Sequence, residues 1–389
     1  MSGDLGGVSR FRDDVAIRGL GVTAYGRQLD RTPLDLAADA FVRALDDAGL
    51  TKDEIDGLVL LSFGADYDRF AEALGLDIRY AYQGWYHGRF MGEVLQHAAL
   101  LVHARLVKNV AVVHAQVPSA MPAALIQEEM WRQGLGSQGE SPAYGAASPV
   151  FGAAMAAQRY FSSYGGSEAD LGPIVVALRN HAALNPNAIR RDPITLADHA
   201  ASPYVIEPLR TLDCAQMIEG AVCLIVTTSE RGKAGPSAPV YIMAMQGTNA
   251  GREYPSMTMP GLGVKQQSNF SYSSPDVPLY HAAGISQADV DSLAVYDLFS
   301  PQVLFTLERF GFCGPGESAD YVRQGIIGLG GKLPVNTSGG LIGEGHLGGW
   351  NLFAEVVRQL RGECGDRQVE DSEIIQWANS QGSSILFRR

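Results

Sequence analysis

The apolar positions of this chain change period repeatedly, and each change marks an element. Val15 to Val22 is a short apolar run that predicts a first strand. Pro33 then opens a stretch in which Leu36, Ala37, Ala40, Phe41, Ala44 and Leu45 share one face at helical spacing, and Gly49 ends it. A strand is expected from Leu58 to Ser62. Another amphipathic helix is expected over 91–107, with Met91, Val94, Leu95, Ala98, Leu101 and Val102 on one face, followed by a buried strand from Asn109 to His114. Helices are predicted from Phe151 to Tyr164 and from Glu168 to Leu184. Ala221 to Thr227 closes a first half, Glu230 to Pro239 reads as a linker, and a late helix starts near Trp350, with Phe353, Val356, Val357 and Leu360 in phase.

One pattern occurs twice. Residues 48–58, A-G-L-T-K-D-E-I-D-G-L, and 283–293, A-G-I-S-Q-A-D-V-D-S-L, each precede an apolar strand. Both contain a helix stop, a hydroxyl cap with acidic residues in the next turn, and a buried run. The copies are too far apart for a solenoid and predict two similar α/β halves, with domains at 1–235 and 236–389. Between Pro118 and Pro149 a segment rich in Met, Gly, Ser, Gln and Pro reads as a long excursion, a lid or a dimer contact.

Composition narrows the class. The chain has 389 residues, 46% of them hydrophobic and 19% charged, which describes an ordered globular protein. A formal net charge of -12 argues against a general nucleic-acid binder. No apolar run approaches the ~20 residues of a membrane span. The polar N-terminus carries no secretory pattern, so a cytoplasmic location is expected. Cys214, Cys223, Cys313 and Cys364 show neither metal spacing nor a disulfide framework. Gly19, Gly21 and Ala24 imitate a dinucleotide-binding fingerprint, but no acidic residue follows at the needed distance, and a tight turn is the simpler reading.

The chemistry concentrates in Asn336 to Asn351, N-T-S-G-G-L-I-G-E-G-H-L-G-G-W-N. Six glycines in sixteen residues require sharp turns or close approach to a ligand. His346 is expected in a tight loop before a helix N-terminus, with Gly345 and Gly348 bringing the backbone near substrate. A second loop, Y-Q-G-W-Y-H-G-R-F at 82–90, places His87 and Arg89 ahead of another helix N-terminus. Arg89 there suits a carboxylate or phosphate of a substrate. His87 either orients substrate or is packed among aromatics.

Together with P-L-R-T-L-D-C (208–214), R-N-H-A-A-L-N-P-N-A (179–188), Y-D-L-F-S-P (296–301), G-F-C-G-P-G-E (311–317) and L-P-V-N-T-S-G-G-L-I-G-E-G-H (333–346), the chain resembles the thiolase superfamily, nearest to its sterol-carrier-protein type, also known as lipid-transfer proteins. The resemblance implies a five-layered α-β-α-β-α fold of two duplicated halves, usually dimeric. It also implies that His346 matches an oxyanion-hole histidine, although Leu347 stands where a proline is usual. A thiolase places a nucleophilic cysteine at the start of the buried helix of its first half; here no cysteine precedes Cys214, and Arg89 lies near that position. The C-terminal segment A-N-S-Q-G-S-S (378–384) also lacks the family's second cysteine. Tyr296 and Asp297 fall on the motif that reads N-E-x-F in ordinary thiolases and H-D-x-F in the sterol-carrier type. A tyrosine there is similar to the steroid side-chain aldolases of the superfamily, which cleave β-hydroxyacyl-CoA thioesters.

The resemblance therefore implies retro-aldol carbon–carbon cleavage of an acyl-CoA, with Tyr296 or His346 as base. His346 or the amides near Arg89 would hold the enolate, and Asp297 would orient a partner or cap a turn. Coenzyme A enters as part of the substrate, with no permanently bound cofactor. A homodimer and a small zinc-ribbon/OB-fold partner are implied. A non-catalytic scaffold subunit, or acyl transfer to another nucleophile, stands as the alternative.

Overall fold

In the computed structural model, residues 11–62, 66–84, 88–118, 148–248 and 278–389 are described. The expected excursion falls almost wholly at 119–147, outside the described residues. The strands, in chain order, are β1 (Val15–Val22), β2 (Gly57–Ser62), β3 (Tyr80–Gln83), β4 (Asn109–Gln116), β5 (Tyr204–Ile206), β6 (Leu209–Arg210), β7 (Gly220–Thr228), β8 (Val240–Gln246), β9 (Ser292–Val295), β10 (Ile374–Ala378) and β11 (Ser384–Arg388). Nine of them form one hydrogen-bonded sheet in the order β3-β2-β4-β7-β1-β8-β11-β10-β9.

Duplication is visible in that order. β2 lies parallel to β4, β4 antiparallel to β7, and β7 antiparallel to β1. Reading inward from the other edge, β9 lies parallel to β10, β10 antiparallel to β11, and β11 antiparallel to β8. The two series meet where β1 pairs antiparallel with β8, at Ala16↔Tyr241 and Ile17↔Val240. The echoing segments occupy equivalent places. Gly49 (φ 61°) and Gly284 (φ 66°) end a helix. In the next turn Glu54 accepts from the Thr51 amide at 2.9 Å and Asp289 from the Ser286 amide at 2.7 Å, just before β2 and β9.

Strand alternation explains the layers. Val59, Leu61, Val110, Val112, Val222 and Leu224 face a central cluster, as do Ile375, Trp377, Ile385 and Phe387 from the other half. Two helices fill this centre, Met91–His103 ahead of β4 and Trp350–Arg361 ahead of β10. The intervening residues Leu58, Leu60, Ala111, Val113, Cys223 and Ile225 pack outward on the helix Pro33–Ala48. Leu293, Val295, Ala378 and Leu386 pack outward on the helices Pro149–Tyr164, Gly172–Ala183 and Pro301–Arg309. The result is helix, half-sheet, helix pair, half-sheet, helix, which is the expected five-layered arrangement. Two of the outer helices, Pro149–Tyr164 and Gly172–Ala183, come from the connection between β4 and β7 yet cover the second half.

The Pro33–Ala48 helix forms as its sequence indicates. Thr32 and Asp35 make a reciprocal cap, Pro33 occupies the first turn, and Gly49 closes the last. Gly19 and Gly21 do not mark a turn. Both lie within β1, where a Cβ on Gly19 would stand 2.4 Å from the Ala44 carbonyl oxygen and one on Gly21 only 1.8 Å from that of Ala40. They let the helix lie directly on the strand. Gly21→Ala is therefore expected to push helix and strand apart and destabilise the protein by about 1–3 kcal/mol, read from urea unfolding. An unchanged midpoint would contradict this packing account.

Candidate active site

The glycine-rich loop has the backbone its composition demands. Gly340 has φ 63° and Gly349 φ 89°, conformations that L side chains rarely adopt. Space excludes a side chain as well. A Cβ on Gly340 would meet Asp297 Oδ2 at 2.4 Å, and one on Gly349 would meet Met91 Sδ at 2.2 Å and Tyr296 Cε2 at 2.9 Å. The loop thus lies against the residue after β9 and against the start of the central helix Met91–His103.

This contact brings Tyr296 and His346 together. Tyr296 Oη and His346 Nε2 are 3.1 Å apart, both residues buried, fifty positions apart in sequence. A turn at Gly88–Phe90 leads into the central helix, and a Cβ on Gly88 would stand 2.3 Å from Tyr296 Oη and 3.0 Å from the Gly348 carbonyl oxygen. Tyr296, His346 and the helix start therefore lie against one another. Burial drives the His346 pKa down from 6.5 to about 4, so the ring is neutral. With Tyr296 donating to Nε2, the ring proton sits on Nδ1, which is buried without a partner among the described residues.

The backbone of His346 is fixed from outside the loop. Its amide donates to the Gln216 carbonyl at 2.8 Å, and its own carbonyl accepts from the Ile218 amide at 3.3 Å and from Gln116 Nε2 at 2.8 Å. Gln116 shares its face of β4 with His114, whose Nδ1–H donates to the Leu61 carbonyl at 2.6 Å and whose ring stacks on Trp350 at 6.1 Å between centroids. Burial, with the field of His346 adding to it, holds His114 neutral with a pKa near 3.

Asp297 caps the loop, one of the two roles expected of it. Its carboxyl is buried and turned onto the loop, accepting from the Leu341 amide at 2.8 Å and more weakly from that of Ile342 at 3.4 Å. Burial raises its pKa to about 8 against the pull of those amides. It is a positioning residue. At Gly345, named for its approach to substrate, a Cβ would strike Ile218 Cγ2 at 2.7 Å. Gly348 turns at φ 59° and directs its carbonyl toward Gly88. His87 and the side chain of Arg89 lie outside the described residues, while the Arg89 backbone belongs to the turn entering the helix.

Sequence reasoning missed a buried polar network beneath the loop. Glu344 accepts from Asn185 Nδ2 at 3.0 Å and Asn351 Nδ2 at 2.7 Å. The same two amides reach the carbonyls of Ser338 and Gly345, tying both ends of the loop together. Burial, with the charge of Glu355 adding to it, raises the Glu344 pKa to about 7. Polar residues at alternate positions of an apolar strand, His114 and Gln116, were a readable signal. Asn185 and Glu344 carried none, since their partners are distant in sequence. All four cysteines are free thiols, and burial raises their pKa values, that of Cys214 to about 12. Among the described residues no His, Cys, Asp and Glu group has metal-binding geometry.

Comparison with known proteins agrees with this fold. Residues 268–386 match the family described as thiolase C-terminal domain-like. Over 366 residues, 89% of this chain and 91% of the relative, the chain is 34% identical to the 17-hydroxy-3-oxo-4-pregnene-20-carboxyl-CoA lyase of Mycobacterium tuberculosis. It is also 34% identical to the steroid side-chain-cleaving aldolase of Thermomonospora curvata, over 92% of this chain and 93% of that one.

The chain belongs to the thiolase superfamily.

Among solved structures, the Ltp2-ChsH2(DUF35) aldolase superposes with a TM-score of 0.85 at 30% identity, covering 97% of this chain and 98% of that one. Human mitochondrial 3-ketoacyl-CoA thiolase shares the fold at a TM-score of 0.64 and 14% identity, over 97% of this chain and 98% of that one. Within this superfamily the chain has a buried tyrosine–histidine pair, and none of its four cysteines is among the described residues in contact with that pair.

The neutral, buried His346 has a stability consequence. Between pH 6.5 and about 4 the unfolded ring takes a proton and the folded ring does not, so the histidine makes the fold progressively less stable as pH falls through that window. Glu344 and Asp297 act in the opposite sense, since their raised pKa values favour the fold on acidification. The difference between wild type and His346→Gln isolates the imidazole. From pH 7 to 4 it is expected to shift toward the variant by on the order of 3 kcal/mol, read from urea unfolding. Parallel pH curves would show that His346 is not held neutral.

Proposed function

We propose that this chain cleaves a β-hydroxyacyl-CoA thioester by a retro-aldol reaction, without a covalent acyl-enzyme. The observation that carries the reading is the 3.1 Å contact between Tyr296 Oη and His346 Nε2, beside the central helix start and with no cysteine there among the described residues. Two relatives whose names are those of a CoA lyase and a steroid side-chain-cleaving aldolase support the reaction class.

The chemistry follows from the pair. The substrate's β-hydroxyl gives its proton to Tyr296 Oη as Tyr296 passes its own to His346 Nε2. The Cα–Cβ bond breaks, Cβ becomes a carbonyl, and the bond's electrons move to Cα and the thioester oxygen. The resulting enolate takes at Cα the proton held by His346, returned through Tyr296, which restores the pair, and leaves as a shorter acyl-CoA. A buried imidazole resists protonation in the empty site, but the enolate charge beside it offsets that cost. Asp297 and the Glu344 network keep the loop, and hence His346, in register.

Coenzyme A is, in this reading, a portion of the substrate. The chain works in the cytoplasm as a homodimer. Edge strand β3, with Tyr82 and Gln83 exposed, offers a ready pairing edge. A small zinc-ribbon/OB-fold partner is proposed from the similar Ltp2-ChsH2(DUF35) aldolase, whose name has two components. Among the described residues no helix is long and apolar enough to cross a membrane.

Tyr296→Phe and His346→Ala should each lower kcat by ~100-fold or more with little change in folding, assayed by release of the shorter acyl-CoA from a panel of β-hydroxyacyl-CoA substrates. Full turnover in both variants would remove the pair from the reaction. Alkylating the accessible thiols should leave turnover nearly intact; substrate-protected inactivation with label on Cys313 would instead restore a covalent route.

A further inference from the structure

The central helix Met91–His103 begins in the pocket, and its opening turn faces an unused buried hydroxyl. A Cβ on Gly92 would meet Ser383 Oγ at 2.7 Å and the Trp377 ring at 2.3 Å, so both side chains press directly on the second residue of the helix. Ser383 is fully buried, and its hydroxyl has no hydrogen-bond partner among the described residues. A buried hydroxyl left unpaired costs free energy, so it normally has a task.

Ser383 is held rigidly. It lies in the tight hairpin between β10 and β11, where its amide donates to Asn379 Oδ1 at 3.0 Å and its carbonyl accepts from the Asn379 amide at 3.0 Å. Gln246 Nε2 anchors the neighbouring Gly382 carbonyl at 2.8 Å. The hairpin is continuous with the reacting pair, since the Tyr296 amide donates to the Ala378 carbonyl at 3.0 Å. Gly88 touches Tyr296 Oη and Gly92 touches Ser383 Oγ. Gly88 and Gly92 are four positions apart where the turn enters the helix. A β-hydroxyacyl thioester has two oxygens to hold, separated by Cβ, Cα and the carbonyl carbon, and two hydroxyls, Tyr296 Oη and Ser383 Oγ, pack on this helix start.

We infer that Ser383 is a further catalytic residue, whose hydroxyl donates to the thioester oxygen as it becomes the enolate oxygen. The inference rests on the retro-aldol reading above. The Ser383 proton stays on its oxygen throughout. The electron pair of the broken Cα–Cβ bond is delocalised onto the thioester oxygen that accepts from the hydroxyl, and Cα then takes the proton held by the Tyr296–His346 pair. The helix dipole adds positive potential at the same place.

The test uses the full chain, with any partner present, and two probes: acetyl-CoA and S-ethyl-CoA, a thioether with no carbonyl oxygen. Calorimetry should show wild type binding acetyl-CoA about 10-fold more tightly than S-ethyl-CoA, and Ser383→Ala binding both alike. Ser383→Ala should also lose ~100-fold in kcat, with Ser383→Cys, a weaker donor of similar shape, in between. Retained discrimination in Ser383→Ala overturns the inference, whether kcat falls or not, because a merely structural serine would not act on the carbonyl alone. Wild type binding neither probe would overturn the acyl-CoA reading itself, and this assignment with it.

Discussion

The pocket depends on one close approach between two backbones. The loop at 345–349 and the helix entry at 88–92 touch with almost no side-chain volume between them, and Tyr296 fills the remaining space. Gly88, Gly92 and Gly349 are each occluded by Tyr296, Met91, Trp377 or Ser383. A methyl group at any of these positions would separate the halves where their chemistry meets. Glycine is costly in a folded chain, and here the cost gives contact between groups drawn from both halves.

Beneath that contact the protein keeps polar groups where a core would ordinarily be apolar. Glu344, Asn185, Asn351 and Asp297 are all buried, and they bond chiefly to one another or to loop carbonyls and amides. Buried networks of this kind fix geometry more than they add stability, and here Asn351 Oδ1 is buried with no partner among the described residues. Raised carboxyl pKa values and lowered histidine values have one origin, since the dry interior disfavours charge of either sign. A fold that buries an imidazole and a phenol 3.1 Å apart is therefore one that also holds its carboxyls close to neutrality.

Much of the architecture was legible because it is written in local periodicity. The helices at 33–48 and 350–361, the strand at 15–22 and the repeated cap-and-strand segment needed only spacing and caps. Gly19 and Gly21 were misread as a turn because a helix lying on a strand leaves no trace in the strand's own sequence. In the site, the glycine cluster and His346 stood out by composition, and Tyr296 by motif. Asp297 was ambiguous, since a carboxylate that caps a loop and one that reacts look alike until its partners are seen. Asn185 and Ser383 were invisible because their contacts lie 159 and roughly 290 positions away, beyond any local pattern.

The outer helices Pro149–Tyr164 and Gly172–Ala183 belong to the first half by sequence and cover the second half in space. During synthesis their apolar faces leave the ribosome before β10 and β11, the strands they cover, have been made. The first half alone thus carries a finished sheet and an unfinished layer. Long-range closure of this kind slows folding and leaves apolar surface open in the meantime. Gene duplication produced two similar halves, and this crossing connection makes them a single unit of inheritance: neither half can be exchanged or expressed separately without uncovering the other.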